Sequence, residues 1–213
     1  MNYTIETWHT KVLDPEFLAI VDEMLALDID LIGASSIQGF EPHERYYILW
    51  SALKQAKDLP GNFVQCGVYK GEQAYFMAKE TDRIVHLFDS FEGATEFDEF
   101  DNDFYKAMPF KCAVEDCEKT LAGFSNVSIN VGRVPANFDK VGPISLLHID
   151  LDLHLPTKIS LENLWSKVVD NGIVMVDTHD NVATGVTKAI TEFAESVGRE
   201  IQVLPAGVIV ITK

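Results

Sequence analysis

Two aspartates one residue apart, Asp150 and Asp152, close an apolar run in "LLHIDLDLHLPTK", and a third, Asp177, closes another in "GIVMVDTHDN". On an extended chain residues i and i+2 point to the same side, so Asp150 and Asp152 aim two carboxylates in one direction. If both runs are parallel strands, Asp150 and Asp177 stand at the carboxyl edge, where open α/β sheets bind ligands. Asp152, Thr178, His179 and Asp180 lie close by in the sequence. Oxygen donors from two strand ends suit a hard cation such as Mg²⁺ or Ca²⁺. With no Lys or Arg between Asp150 and Asp152, a cation or a raised carboxyl pKa would relieve their repulsion. The plainer alternative is that these acids cap the following helices and face water.

A second chemistry-bearing stretch is "FVQCGVYKGEQA". A strand reads to Gly67, a short turn follows, and Gly71 leads into a helical segment. Glycines let a ligand approach the backbone, and a helix N-terminus offers its unpaired N–H groups. The turn is not G-x-G-x-x-G, because Tyr69 stands where the second glycine would fall. In "VHLFDSFEG", Asp89 ends the next strand, 22 residues after Gly67. An acid at that place can accept hydrogen bonds from a ribose diol, or can simply cap a turn.

The elements that must carry these residues alternate. "NFVQCGV", "RIVHLFD", "NVSINVG", "ISLLHID" and "GIVMVDT" read as strands with helical segments between them. Val186, Ala189, Ile190, Phe193 and Val197 form one helical stripe. Pro156 is placed to open another helix and Gly172 to follow its end. Continuous apolar strands between amphipathic helices imply a mostly parallel sheet covered on both faces. "IQVLPAGVIVITK" reads as a hairpin about Pro205-Ala206-Gly207 and so as an antiparallel edge. Helical stretches near Pro15–Leu27 and Glu44–Lys57 form an N-terminal extension, residues 1–58 of a single domain spanning 1–213. The acidic, Phe-rich "EFDEFDNDFYKAMPF" is either an exposed loop with a few buried rings or a mobile lid.

Composition narrows the partners. The chain has 213 residues, 47% hydrophobic, with 17 Lys+Arg against 33 Asp+Glu and a net charge of −16. That is length enough for a full core, and the charge disfavours nucleic acid and anionic membranes. No run suits a membrane span or a signal peptide, and Cys66, Cys112 and Cys117 have no metal-ligand spacing, so a cytoplasmic protein is expected.

In order along the chain, "GNFVQCGVYKGEQA", "FDSFEG", "LLHIDLDLHLPTK" and "NGIVMVDTHD" resemble the class I S-adenosylmethionine-dependent methyltransferases, and within them the macrocin O-methyltransferase (TylF/MycF-like) family. The resemblance covers roughly Glu44 to Lys213. It implies a three-layer, Rossmann-like, seven-stranded sheet, mostly parallel with an antiparallel C-terminal strand, in line with the hairpin of "IQVLPAGVIVITK". It implies S-adenosyl-L-methionine as cofactor, with Gly67 and Gly71 framing the methionine portion and Gln65, Tyr69 and Asp150 bordering it. Asp89 would hold the ribose, Ser90 and Phe91 the adenosine, and Gly132 the adenine. The family's Mg²⁺ would fall to Asp150 and Asp177, with Thr178 beside them. Four positions differ from the family pattern: Gln65 stands for Glu, Thr178 for a second acid, and Leu151 and His154 replace the Gly and Tyr of "DGDLY".

The resemblance further implies methyl transfer to a hydroxyl of a small acceptor, a sugar or polyol moiety, with metal assistance. The general base would be Asp150 or Asp152 before His179, and His154 would at most contact the acceptor. Two rivals use the same residues: an NAD-dependent oxidoreductase, and a non-catalytic ligand-binding domain of the same fold. Whether the chain forms a homo-oligomer stays open.

Overall fold

The structure is a computed structural model that describes residues 14–29, 42–107, 110–178 and 183–213. Its centre is a seven-stranded sheet: β1 Asn62–Cys66, β2 Val85–Asp89, β3 Val127–Val131, β4 Ile144–Ile149, β5 Val168–Asp177, β6 Gln202–Leu204 and β7 Val208–Thr212. The strand order is β3-β2-β1-β4-β5-β7-β6. The first five strands pair in parallel, and β7 runs antiparallel to both β5 and β6. The expected C-terminal hairpin thus forms the antiparallel edge of the sheet, with β7 inside and β6 outermost.

Each central strand serves two cores because successive side chains leave opposite faces. Phe63, Leu146 and Met175 enter one hydrophobic cluster, while their neighbours Val64, Leu147 and Val176 enter the other. The first cluster is roofed by α1 (Pro15–Ala26), α2 (Pro42–Ala56) and α3 (Glu72–Lys79). The second is covered by α6 (His154–Leu164) and α7 (Thr184–Ser196). Two short helices, α4 (Phe104–Ala107) and α5 (Val114–Thr120), lie between β2 and β3. The expected stripe on α7 is where burial falls: Val186, Ala189, Ile190 and Phe193 are all inside. Among the described residues, no helix is long and apolar enough to cross a membrane.

Two local expectations are corrected. Helix α6 starts at His154, so Pro156 sits in its first turn, where a missing N–H costs little. Gly172 follows no helix. It belongs to β5, where the register slips between Ile144 and Leu146 of β4, and an added Cβ would meet Val168 Cγ1 at 2.7 Å and the Val169 carbonyl at 2.8 Å. The glycine admits that irregularity by lacking a side chain.

The N-terminal helices bear on the site because α2 is held by α1. Asp14 caps α1 by accepting from the Glu16 and Phe17 N–H groups. Phe17 is fully buried, edge-on to Tyr47 at 5.2 Å and stacked with Phe76 at 5.6 Å. Glu23 accepts from Tyr75 and Lys79 of α3, which ties α1 to a third element. Phe17→Ala should therefore cost about 3–5 kcal/mol of stability, read as a lower midpoint in urea unfolding with the slope unchanged. A loss under about 1 kcal/mol would show that α1 is only loosely attached.

Candidate active site

The chain runs outward from β1 to β3, then crosses back to β4 and proceeds the other way, so strand order reverses between β1 and β4. In such sheets this switch point opens a crevice at the carboxyl ends of the strands. Gly67 follows β1 there with φ +84°, and an added Cβ would stand 1.8 Å from the Asp150 carbonyl oxygen. Only glycine lets the two strand ends approach this closely.

Asp89 binds the surrounding loops together. Its Oδ2 accepts from the Val68 and Tyr69 N–H groups at 2.7 and 2.8 Å, and its Oδ1 accepts from Phe91 N–H at 2.7 Å. The Asp89 carbonyl accepts from Gly132 N–H at 2.9 Å, which places the loop after β3 beside the other two. Gly71 takes φ +90° as the N-cap of α3 and offers no side-chain cap. Gly67, Tyr69, Asp89, Ser90, Gly132 and Asp150 line one cleft, with Glu72, Gln73, Arg45 and Asp152. Gln65, Gly71, Phe91, Asp177 and Thr178 are buried and do not line it, and His179 falls outside the described residues.

Behind the turn, Gln65 is fully buried. Its Nε2 donates to the Gly67 carbonyl and to Gln73 Oε1, both at 2.9 Å, and Gln73 Nε2 donates to Asp150 Oδ2 at 3.2 Å. The remaining Gln65 oxygen has no hydrogen-bond partner among the described residues.

Register brings the acids together. Ile149 of β4 pairs with Val176 of β5, so Asp150 and Asp177 follow on adjacent strands. His148, buried two residues earlier, joins them: one ligand atom from each of His148, Asp150 and Asp177 lies within 4.8 Å of the others. The positive charge absent between Asp150 and Asp152 comes from elsewhere. Arg45, in the first turn of α2, sets Nη1 3.1 Å from Asp177 Oδ2 and donates from Nη2 to the Ala206 carbonyl at 3.4 Å. Burial opposes its charge, yet Asp177 and then Asp150 outweigh burial and raise its pKa. Thr178 commits both its N–H and its hydroxyl to the Gly207 carbonyl, at 2.6 and 2.7 Å.

The Phe-rich stretch folds down beside the acids. Tyr105 of α4 is buried; burial, then the charges of Asp152, Asp150 and Asp177, push its phenol far above the ordinary range, so it stays neutral. His154 is a fastening for this stretch, since Asp101 accepts from its N–H at 2.8 Å, Asp98 meets its Nδ1 at 2.6 Å and Phe100 packs on its ring. It is not among the cleft-lining residues. Burial works against the charge on Asp98, but the Phe100 N–H and His154 overcome it and lower its pKa. Gly185 of α7 permits the contact, because an added Cβ would meet Asp101 Oδ1 at 2.2 Å.

Arg45, His148, Glu72, Gln73 and Tyr105 were not legible as site residues. Arg45 arrives from a distant segment with no motif around it, and Tyr105 from within the acidic, Phe-rich stretch. His148 and Gln73 had a signal: strand alternation puts His148 on the face of Asp150, and Gln73 opens the helix after the glycine turn.

The sequence profile described as macrocin-O-methyltransferase (TylF) matches residues 44–204. Among curated protein sequences nothing matches. The fold is similar to the O-methyltransferase NovP, with a TM-score of 0.70 and 18% identity over 83% of each chain. It is similar to the calicheamicin methyltransferase CalS11, at 0.68 and 18% over 100% of this chain and 94% of that one. It is also similar to SMU.1697c of Streptococcus mutans, solved in complex with SAH, at 0.57 and 14% over 78% of this chain and 96% of that one. At these identities the likenesses speak to fold. The profile, spanning well over half of the sequence, identifies the chain as a member of the macrocin-O-methyltransferase (TylF) family and so as an S-adenosylmethionine-dependent methyltransferase.

Proposed function

We propose that the chain methylates a hydroxyl group of a small hydroxylated acceptor, a sugar or polyol moiety, in the cleft between the Gly67 turn and Asp152. One observation carries this reading: a ribose-type acid, Asp89, and a hydroxyl-type acid pair, Asp150 and Asp152, line the same cleft at opposite sides of the switch point. The relative CalS11 is described as a TDP-rhamnose 3′-O-methyltransferase, which supports a sugar hydroxyl as the acceptor class.

The residues present fit the cofactor. Two glycines at positive φ open the backbone, and the unpartnered oxygen of Gln65 lies beside Gly67 and Gln73 as an acceptor for an ammonium group. Gln65 is neutral, and Glu72, in the first turn of α3 and lining the cleft, supplies the missing negative charge on that side. Asp89, Ser90 and Gly132 would receive the nucleoside. S-adenosylmethionine, when bound, supplies an electrophilic methyl group on a sulfonium. The chain must orient the acceptor oxygen in line with that methyl and remove its proton. Asp152 and Asp150, the latter held by Gln73, line the cleft with carboxylates for that proton.

Magnesium fits less well. It takes oxygen ligands in near-octahedral geometry, whereas the group gathered here is one imidazole and two carboxylates, one of them already paired with Arg45. The Thr178 hydroxyl, proposed from sequence as a third ligand, is directed at Gly207. As these residues stand they do not make a magnesium site.

Calorimetry should show S-adenosylmethionine binding and no NAD binding. Asp89→Ala, which removes three charge-assisted hydrogen bonds, should weaken the cofactor about tenfold or more. Unchanged affinity in a folded variant would remove Asp89 from the cofactor site. With a panel of free and nucleotide-linked sugars as acceptors, Asp152→Asn and Asp150→Asn should each lower turnover by about 10²- to 10⁴-fold while cofactor affinity moves far less. Turnover unaffected in both variants would sink the proposed proton acceptors.

A further inference from the structure

We propose that Arg45 takes the place of a divalent cation at the acceptor end of the cleft, so that this chain handles its acceptor with a resident guanidinium rather than a bound metal. The inference rests on the O-methyltransferase reading and deepens it. Asp150, Asp177 and His148 converge closely enough to hold an ion, and two carboxylates so near each other require a positive charge. Arg45 provides one from within the fold. Its contact with Asp177 is 3.1 Å, with the Arg45 side chain 13% exposed and that of Asp177 0% exposed, so water does little to weaken the pair.

The position of Arg45 is built in from three sides. It leaves the first turn of α2, which α1 presses onto the sheet face. Its second nitrogen donates to the Ala206 carbonyl, in the turn that joins β6 to β7. That turn is fixed to the end of β5 by Thr178, whose N–H and hydroxyl both donate to Gly207. The residue standing where the family tends to have a second acid thus helps to seat the carbonyl that receives Arg45. A single substitution accounts for both the loss of an oxygen ligand and the support of the replacement charge.

A metal ion and Arg45 exclude each other. An ion bound by Asp150 and Asp177 would sit within a few ångström of the guanidinium, and two carboxylates cannot neutralise both cations. Arg45 also lines the cleft, where a guanidinium can polarise an acceptor hydroxyl oxygen as a Lewis acid otherwise would.

The test is Mn²⁺ titration of the full chain saturated with S-adenosylhomocysteine, followed by calorimetry and by electron paramagnetic resonance of free Mn²⁺. The wild type and Arg45→Lys should show no binding below millimolar Mn²⁺. Arg45→Met, which frees Asp150, Asp177 and His148, should bind Mn²⁺ at least about tenfold more tightly than the wild type, and Asp177→Asn added to it should abolish that gain. Micromolar Mn²⁺ binding by the wild type would overturn the proposal without reference to any variant, and so would a folded Arg45→Met that gains no affinity. Failure of S-adenosylhomocysteine itself to bind would refute the cofactor assignment, while the Mn²⁺ comparison would still decide the role of Arg45.

Discussion

Parallel register between β4 and β5 carries Asp150 and Asp177 to neighbouring strand ends, and the structure around them is arranged to neutralise and fix those two carboxylates. Arg45 approaches from α2, Gln73 from α3, Tyr105 from the loop after β2, and Ala206 from the C-terminal turn. Four separate segments thereby converge on one point at the end of the sheet. A guanidinium at 3.1 Å attracts a carboxylate by about 5 kcal/mol at an effective dielectric near 20, before desolvation is set against it. Loss of either partner would leave the other buried and uncompensated, so the pair constrains where α2 can lie.

The cofactor side is organised by a different acid in a different way. Asp89 uses its carboxylate on three backbone N–H groups, and its carbonyl receives a fourth, from Gly132. Its first task is to hold the ends of β1, β2 and β3 in one geometry. A carboxylate accepts about four hydrogen bonds, so capacity for a ribose hydroxyl remains after three. The same residue can therefore shape the pocket and contact what enters it. Pre-organisation of this kind lowers the cost of binding because the loops are already ordered.

What was legible in the sequence is what local pattern encodes. Strand ends, the glycine turn, the α7 stripe and the C-terminal hairpin each depend on neighbours within a few residues, and each is where periodicity placed it. Gly172 failed as a helix stop because a glycine has several uses, and here a strand irregularity claims it. His154, read as an acceptor contact, is instead buried against Asp98, Asp101 and Phe100. No window of the sequence joins residue 154 to residues 98–101. The same reasoning explains Arg45: the counter-charge for Asp177 lies 132 positions earlier on an amphipathic helix, where one arginine resembles any other.

The Thr178 difference shows why a site is better judged by its charge balance than by its ligand count. With an acid at position 178, three carboxylates would face one guanidinium, and an additional cation would be required. With Thr178 turned onto Gly207, Asp150 and Asp177 meet Arg45 without a further carboxylate from position 178. Arg45 supplies a positive charge there without a doubly charged ion, and Asp150 and Asp152 line the cleft as the proposed proton acceptors. Changing one residue from acid to alcohol therefore alters the electrostatic requirement of the whole end of the sheet, while the strands, the glycine turn and Asp89 remain as the cofactor needs them.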